Sequence, residues 1–249
     1  MIDSGSEHYQ LNNNTCKYPG KLGHHLLKPG TNYVIKSDTG TGKTTTFKHY
    51  VRKYGLDFHS VVSRCTLGIE QYVIFNEHGI ECVYYEDFDF NSANGSESVV
   101  TTVDSLLKLN PRLFDFSNSV VFFDEFNSLV EYVLDSDTLR KSRATVLQRL
   151  IYVISNAKQV ICADAHISDL CFKLLDFCGL KYENVQNTYN HNNDVRATEV
   201  FSYGQLIERM GKEREFLVCC DSATVAKAIY KELESCGFKD RKVITSNTK

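Results

Sequence analysis

The stretch that most constrains the fold lies between residues 33 and 53, where an apolar run, a glycine-bearing segment and a helical pattern follow one another. The apolar run is Tyr33-Val34-Ile35, and residues 46–53 have the pattern of a helix. Between them the sequence is Lys36-Ser37-Asp38-Thr39-Gly40-Thr41-Gly42-Lys43-Thr44-Thr45. This order predicts a strand that runs through a tight loop into the start of a helix.

The loop has the chemistry of an anion site. Gly40 and Gly42 lack a Cβ atom, so the backbone there can adopt positive φ angles and turn its N–H groups inward. In the pattern Gly-x-x-x-x-Gly-Lys-[Ser/Thr] the lysine, here Lys43, contacts the β- and γ-phosphates, and the hydroxyl, here Thr44, contacts Mg²⁺. We therefore expect residues 37–45 to bind ATP and Mg²⁺, although Ser37 stands where the pattern has its first glycine. The alternative is a surface turn rich in Gly and Thr.

Apolar runs and helical patterns alternate along the rest of the chain. Strands are predicted at 33–35, 58–63, 80–85, 99–102, 120–123 and 159–163. Helices are predicted at 46–53, around 71–75, around 106–109, at 129–134, at 138–157 and at 167–178. The apolar runs are continuous rather than alternating, which indicates strands covered on both faces. The fold class is therefore α/β, a mostly parallel sheet with right-handed crossovers and helices on both faces.

An asparagine-rich segment suggests a domain boundary. Residues 1–30 are a polar lead-in, residues 31–183 carry the ATP-binding lobe, and residues 184–196 are expected to be a linker. Residues 197–249 begin a similar alternation of apolar runs and helical patterns. Strands are predicted there at 198–201, 216–219 and 243–245, and helices at 205–210 and 223–236. This remainder is too short for a second domain of similar size, so we expect the chain to be an N-terminal piece of a longer protein.

The composition leaves most partners open. Charged residues make up 24% of the chain and the formal net charge is -3, so any contact with nucleic acid must be local. The nine cysteines, an odd number without metal-ligand spacing, indicate a reducing compartment. No apolar stretch approaches the roughly 18 residues of a membrane span, and residues 1–15 lack the core of a signal peptide. We expect an intracellular protein that does not contact membranes.

A second group of polar residues follows the apolar run Val120 to Phe123. Asp124 and Glu125 come directly after this run, which places them at the carboxyl edge of the sheet, where open α/β sheets bind ligands. We expect Asp124 to contact Mg²⁺, directly or through water. We expect Glu125 to orient and help deprotonate an attacking water molecule. With Lys43, these two carboxylates form the predicted catalytic group.

Six stretches in this order resemble the nucleic-acid-dependent ATPases of helicase superfamily 2. They are residues 37–44, 61–67, 101–106, 124–127, 161–165 and 216–223. Within that superfamily the chain looks most like the replication-origin-binding helicases of herpesviruses, whose relatives occur in other large DNA viruses and in mobile elements. The resemblance implies a RecA-like P-loop lobe followed by the start of a second RecA-like lobe.

The resemblance also implies roles for residues beyond the nucleotide site. Arg64 and Thr66 correspond to one box that contacts the nucleic-acid backbone, and Thr101, Thr102 and Ser105 to another. For Arg64, a surface salt bridge is the alternative. Asp164 belongs to the box that couples hydrolysis to movement. The chain departs from the usual pattern at Asn127, which replaces Asp or His, and around Asp164, where alanines replace hydroxyl residues.

These implications describe an ATP-dependent DNA helicase or translocase module that acts in DNA replication. Its partners are single-stranded or origin DNA and other replication proteins, in the cytoplasm or nucleus of a host cell if the source is viral. The arginine fingers of this superfamily come from the second lobe, so the isolated chain is expected to hydrolyse ATP slowly. Two alternatives are a P-loop switch or assembly ATPase that acts on protein partners, and a module that binds nucleotide without turnover.

Overall fold

The structure is a computed structural model that describes residues 15–18, 20–23, 25–87, 98–109, 114, 116–189, 202–210, 223–235 and 237. The chain divides into two compact units, Met1–Asn193 and Asp194–Lys249. In the second unit the described residues form two helices, α6 (Tyr203–Met210) and α7 (Ala223–Ser235). Both helices were predicted, whereas the strands predicted in this unit lie outside the described residues. No described helix is long and apolar enough to cross a membrane.

The first unit is built on one eight-stranded sheet. Its strands are β1 (Thr15–Tyr18), β2 (Tyr33–Lys36), β3 (Phe58–Val62), β4 (Val83–Tyr84), β5 (Val99–Thr102), β6 (Val120–Asp124), β7 (Gln159–Asp164) and β8 (Glu183–Asn187). Their order is β1-β8-β2-β7-β6-β3-β5-β4, and every neighbouring pair is parallel. The side chains of β3, β5, β6 and β7 are all buried, as the continuous apolar runs predicted. The predicted α/β fold is thus confirmed.

Five helices cover the sheet. They are α1 (Lys43–Tyr54), α2 (Cys65–Glu77), α3 (Phe126–Asp135), α4 (Arg143–Asn156) and α5 (Asp169–Phe177), with short 3-10 turns at Val103–Lys108, Phe116–Asn118 and Asp137–Leu139. The connections from β2 to β3 and from β3 to β4 run one way along the sheet, and those from β5 through β8 run the other way. Because such crossovers are right-handed, α1 and α2 lie on one face and α3, α4 and α5 on the other.

Aromatic packing fixes α1 and α2 on their face. The ring of Phe47 in α1 stacks on Phe122 of β6 with centroids 4.2 Å apart. It also meets Phe58 of β3 and Phe75 of α2 edge-on, at 5.4 and 6.1 Å. All four rings are almost fully buried. This cluster holds α1 and α2 against β3 and β6 on one face of the sheet.

Two segments predicted to lie outside the sheet are strands of it. Strand β1 falls in the expected lead-in 1–30, and β8 includes residues 184–187 of the expected linker. Both strands are polar, and their place comes from parallel backbone pairing of β8 with β1 and with β2. Within β8, Val185 supplies the fully buried apolar side chain. The division between the two units lies farther on, between Asn193 and Asp194, inside the expected linker.

Three elements differ from the prediction in length or in type. The strand expected at 80–85 is only β4, because Gly79 adopts a φ of +70° and the Ile80 N–H bonds back to Phe75 at the end of α2. The helix expected at 138–157 begins at Arg143, since Ser136 caps a separate 3-10 turn through the N–H of Thr138. The helix expected around 106–109 is a 3-10 turn.

A histidine lies in the core without a partner. His59 in β3 is 1% exposed, its ring packs against Phe114 and Phe116, and neither ring nitrogen has a hydrogen-bond partner among the described residues. Burial lowers the pKa of His59 from 6.5 to about 4. The folded chain therefore keeps this ring neutral at a pH where the unfolded chain already binds a proton.

This burial predicts an acid-sensitive core. Stability from His59 is fully present above pH 6.5 and should decrease as the pH falls toward 4, by about 1.4 kcal/mol per pH unit. Urea unfolding at pH 7 and pH 4.5 should show a steeper loss for the wild type than for His59→Leu, which removes the titrating group at similar volume. Parallel pH dependence in the two proteins would contradict the assignment.

Candidate functional site

The carboxyl edge of the sheet brings the predicted site residues together. Strands β2, β7, β6 and β3 lie side by side, and their register pairs Lys36 with Asp164 and Asp124 with Ala163. The loop after β2 therefore lies beside Asp164, and Asp124 lies one strand farther on. Arg64 follows the end of β3, next to β6. Four predicted stretches thus meet at one edge, where open parallel sheets bind ligands.

The loop after β2 has the predicted strand-loop-helix form. Gly40 and Gly42 have φ angles of +75° and +96°, which a residue with a Cβ rarely adopts. Gly42 is the N-cap of α1, its carbonyl accepts from the N–H of Thr46, and Lys43 begins the helix. The first N–H groups of α1 therefore face the loop, together with the positive end of the helix dipole.

Ser37 is built into the loop by its hydroxyl. Asn187 at the end of β8 donates to Ser37 Oγ at 3.0 Å, and Ser37 Oγ lies 2.5 Å from Thr41 Oγ1. Thr41 in turn donates to the Asp38 carbonyl at 2.7 Å, so Ser37 is the donor to Thr41. Glu125 alone among the described non-glycine residues has a positive φ, so the backbone at Ser37 does not require glycine. A serine thus fits this position and ties the loop to β8.

Lys43 occupies the centre of the loop. Its Nζ donates to the carbonyls of Ser37 and Asp38 at 2.8 and 2.9 Å. Burial lowers the pKa of Lys43, and nearby carboxylates, Asp124 foremost, oppose that shift. The ammonium group is therefore held on two neutral acceptors in a site where a phosphate would be a stronger partner.

Asp124 and Thr44 form the candidate Mg²⁺ site. Asp124 is the last residue of β6 and is 5% exposed, and its Oδ2 accepts from Thr44 Oγ1 at 2.8 Å. Burial raises the pKa of Asp124, while the Thr44 hydrogen bond and the charge of Lys43 oppose the rise. A hydroxyl and a carboxylate side by side are oxygen ligands of the kind that Mg²⁺ prefers, and a bound cation would favour the charged carboxylate. These residues fit the metal.

Sequence analysis did not identify Gln71 as a site residue. Gln71 of α2 is 1% exposed, and its Nε2 donates to Asp124 Oδ2 at 2.7 Å. Its Oε1 accepts from Ser60 Oγ of β3 at 2.5 Å. Gln71 therefore fixes the orientation of the carboxylate that Thr44 also contacts. Partners of this kind commonly tune metal ligands.

Replacing Gln71 tests this role. Gln71→Leu leaves the buried Asp124 carboxylate without one donor, and we expect the free energy of unfolding at pH 7 to fall by about 2–3 kcal/mol. Ser60→Ala removes only the neutral hydrogen bond from Ser60 to Gln71 and should lower the free energy of unfolding by about 1 kcal/mol. Chemical denaturation of both variants measures the difference. Equal losses would mean that the bond to Asp124 contributes nothing beyond an ordinary buried contact.

Glu125 has an unusual backbone and a charged partner. It is the N-cap of α3 with φ 53° and ψ 50°, in the left-handed region that non-glycine residues rarely adopt. Such strain is concentrated at functional sites. Its Oε2 accepts from Arg64 Nη2 at 2.7 Å, and the two side chains are 35% and 66% exposed. The salt bridge considered for Arg64 is thus present, and its acceptor is the predicted catalytic carboxylate.

Asp164 connects the loop to the segment after β6. Its carbonyl accepts from the N–H of Ser37 at 2.8 Å, and its Oδ2 accepts from the N–H of Asn127 at 2.8 Å. The Asn127 side chain accepts from the N–H of Ser168 and donates to Glu131. Asn127 and Asp164, which mark the two places where the sequence departs from the usual helicase motifs, therefore belong to one hydrogen-bonded network. The coupling role of Asp164 stays a prediction.

The residues predicted to contact nucleic acid fall into two groups. Arg64 and Thr66, at the start of α2, are exposed at the carboxyl edge. Thr101, Thr102 and Ser105 are buried, because β5 is an inner strand and a 3-10 turn follows it directly. The Thr101 hydroxyl donates to the Thr102 carbonyl. Because these three residues are buried, direct contact between their hydroxyls and a nucleic-acid backbone is disfavoured in this conformation.

The lead-in also contacts the loop, which the sequence did not indicate. Leu22 is buried, its N–H donates to the Thr41 carbonyl at 3.1 Å, and its carbonyl accepts from Thr46 Oγ1 at 3.3 Å. Gln159 of β7 donates to the Lys28 and Thr31 carbonyls and anchors the same segment. Leu22 and the segment 25–31 therefore support the loop from outside the sheet.

Solved structures of other proteins have a similar fold. Dbp5 of S. cerevisiae bound to RNA and ADP BeF3 is 15% identical over 87% of this chain and 59% of that chain, with a TM-score of 0.57. A Dbp5 variant bound to a Gle1 variant and IP6 is 13% identical over 83% of this chain and 56% of that chain, with a TM-score of 0.60. A hypothetical ATP-dependent RNA helicase from Sulfolobus tokodaii is 19% identical over 63% of this chain and 48% of that chain, with a TM-score of 0.46.

At these identities the likeness to the two Dbp5 structures establishes the fold alone. The RecA-like α/β fold expected from the sequence is confirmed, whereas a relation to the origin-binding helicases of herpesviruses is not shown. The chain spans 48% to 59% of the length of these three structures. No protein-family model matches the sequence, and neither does any curated protein.

Proposed function

We propose that this chain is the ATP-binding module of a nucleic-acid helicase or translocase. The observation that carries the proposal is the Thr44–Asp124 contact of 2.8 Å beside the glycine loop, with Lys43 and Glu125 on either side. A phosphate-binding loop, two oxygen ligands for Mg²⁺ and a carboxylate for water are the parts that phosphoryl transfer to water requires.

Each residue has a defined task in this proposal. Lys43 exchanges its two loop carbonyls for the β- and γ-phosphates, and the N–H groups of the loop and of the first turn of α1 bind the remaining phosphate oxygens. Thr44 and Asp124 hold Mg²⁺, which when bound neutralises charge on the phosphates. Glu125 orients the attacking water and accepts its proton. Gln71 keeps Asp124 in place.

The nucleic-acid partner is proposed from the fold and from the exposed residues after β3. Arg64 lies beside Glu125, and Thr66 is exposed two residues farther on, so a backbone phosphate at Arg64 would be next to the hydrolytic site. One of the similar structures is bound to RNA, and the motif order resembles helicases of DNA replication. An action on DNA in replication is the more specific proposal, and it rests on the motif resemblance.

Binding measurements test the proposal. Fluorescence anisotropy of single-stranded DNA and RNA oligonucleotides of matched sequence should show weak binding to the chain that decreases steeply with salt. Tighter binding of the DNA would favour the role in replication. Mg·ATP binding without affinity for either oligonucleotide would instead favour a P-loop ATPase that acts on protein partners.

A further inference from the structure

The Arg64–Glu125 ion pair joins two groups with different predicted ligands. Glu125 is the carboxylate predicted to orient the attacking water, and Arg64 is the exposed cation predicted to contact a backbone phosphate. In their 2.7 Å contact, each side chain uses a hydrogen-bonding position that its predicted ligand would need. A carboxylate oxygen that accepts from a guanidinium is not available to accept the proton of a water molecule in the same direction.

The contact is weak enough to be exchanged. The Arg64 side chain is 66% exposed, and ion pairs this open to solvent contribute little to stability because water and salt screen them. A guanidinium has five N–H donors in a planar fork that matches phosphate oxygens in pairs. The hydrogen bond to Glu125 uses only one guanidinium nitrogen of Arg64, Nη2. A phosphate can therefore displace Glu125 by offering a better-matched partner.

The position of α2 favours such an exchange. Arg64 is the N-cap residue of α2, and Gln71, seven residues on in the same helix, holds Asp124. Asp124 at the end of β6 and Glu125 directly after it are thus both contacted by residues of α2 and its N-cap. Glu125 has a strained backbone, and its side chain is held toward α2 by Arg64.

We propose that Arg64 is shared between Glu125 and a backbone phosphate of single-stranded nucleic acid, so that nucleic-acid binding releases Glu125 to the attacking water. Arg64 is then a positioning residue that restrains the catalytic carboxylate until nucleic acid is bound. The inference rests on the proposed function and specifies how that function is regulated. No bond other than hydrogen bonds changes in this step.

Competition for one guanidinium is reciprocal, which makes it measurable without hydrolysis. If nucleic acid displaces Glu125 from Arg64, then removing the Glu125 charge must tighten nucleic-acid binding. From the usual strength of exposed ion pairs, Glu125→Gln should bind a single-stranded oligonucleotide about two- to fivefold more tightly at low salt. A residue with a merely structural role would not produce tighter binding.

A double-mutant cycle with a charge-matched control completes the test. Glu77→Gln, at the opposite end of α2, removes the same charge from an exposed residue and should change the affinity less than Glu125→Gln does. Arg64→Gln should weaken binding of the oligonucleotide. It should also make the slope of log K against log salt concentration less steep by about one, because one phosphate contact is lost. In the Arg64→Gln background, Glu125→Gln should have no larger effect than Glu77→Gln. Circular dichroism melts of each variant verify that the fold is retained.

The possible outcomes separate this inference from the proposed function. If Arg64→Gln weakens binding but Glu125→Gln behaves like Glu77→Gln, Arg64 binds the backbone without being shared, and the inference is wrong while the proposed function stands. If Arg64→Gln leaves binding unchanged, Arg64 is not a backbone ligand and the inference is again wrong. If the wild type binds neither DNA nor RNA, both the inference and the proposed function fail.

Discussion

With single-stranded nucleic acid bound, replacing Glu125 by glutamine should lower the rate of ATP hydrolysis by about 10²-fold or more while leaving the affinity for Mg·ATP nearly unchanged. The amide keeps the size of the side chain but cannot accept a proton from water. Glu125 lies outside the loop that binds the phosphates, so ground-state binding does not depend on its charge. Single-turnover hydrolysis with protein in excess over labelled ATP can measure the slow rates involved.

Glu77→Gln is the matched control for this experiment, because it makes the same change at an exposed position far from the loop. Its rate should equal that of the wild type. A Glu125→Gln protein that hydrolyses ATP as fast as this control would show that another group activates the water, and the assignment of Glu125 would be wrong.

Replacing Lys43 by alanine should weaken Mg·ATP binding by at least about tenfold, which corresponds to roughly 1.4 kcal/mol. Lys43 supplies the cation at the centre of the loop, and alanine also leaves the carbonyls of Ser37 and Asp38 without their donor. Isothermal titration calorimetry in excess Mg²⁺ gives the affinity directly.

Lys53→Ala, in the last turn of the same helix, is the appropriate comparison because it removes an equal charge from an exposed residue. Its affinity for Mg·ATP should match the wild type within about twofold. Equal titration curves for Lys43→Ala and Lys53→Ala would remove the phosphate-loop assignment.

Local patterns explain why the centre of the site could be predicted from the sequence. Glycines that need positive φ angles, a lysine at a helix start and two carboxylates after an apolar run are each signals within a few residues. The order of parallel strands then brings them to one edge. The contact between Thr44 and Asp124, 80 residues apart, follows from that order.

Other parts of the site depend on contacts that short patterns do not encode. Gln71 is a polar residue in a helical pattern, which is typical of a solvent-facing position, and it meets Asp124 only because α2 packs against β3 and β5. Strands β1 and β8 lack apolar runs and are defined by backbone pairing with distant segments. Thr101 and Thr102 carry hydroxyls suited to phosphate, yet their strand is covered on both faces.

A crystal structure of the chain with Mg²⁺ and a non-hydrolysable ATP analogue tests the assignment of the nucleotide site most directly. We expect the triphosphate in the loop of residues 37–44, with Lys43 Nζ moved from the carbonyls of Ser37 and Asp38 to the phosphates. We expect Mg²⁺ to contact Thr44 Oγ1 on the side facing Asp124. A nucleotide bound away from the loop, with Lys43 still on both carbonyls, would mean that this edge of the sheet is not an ATPase site.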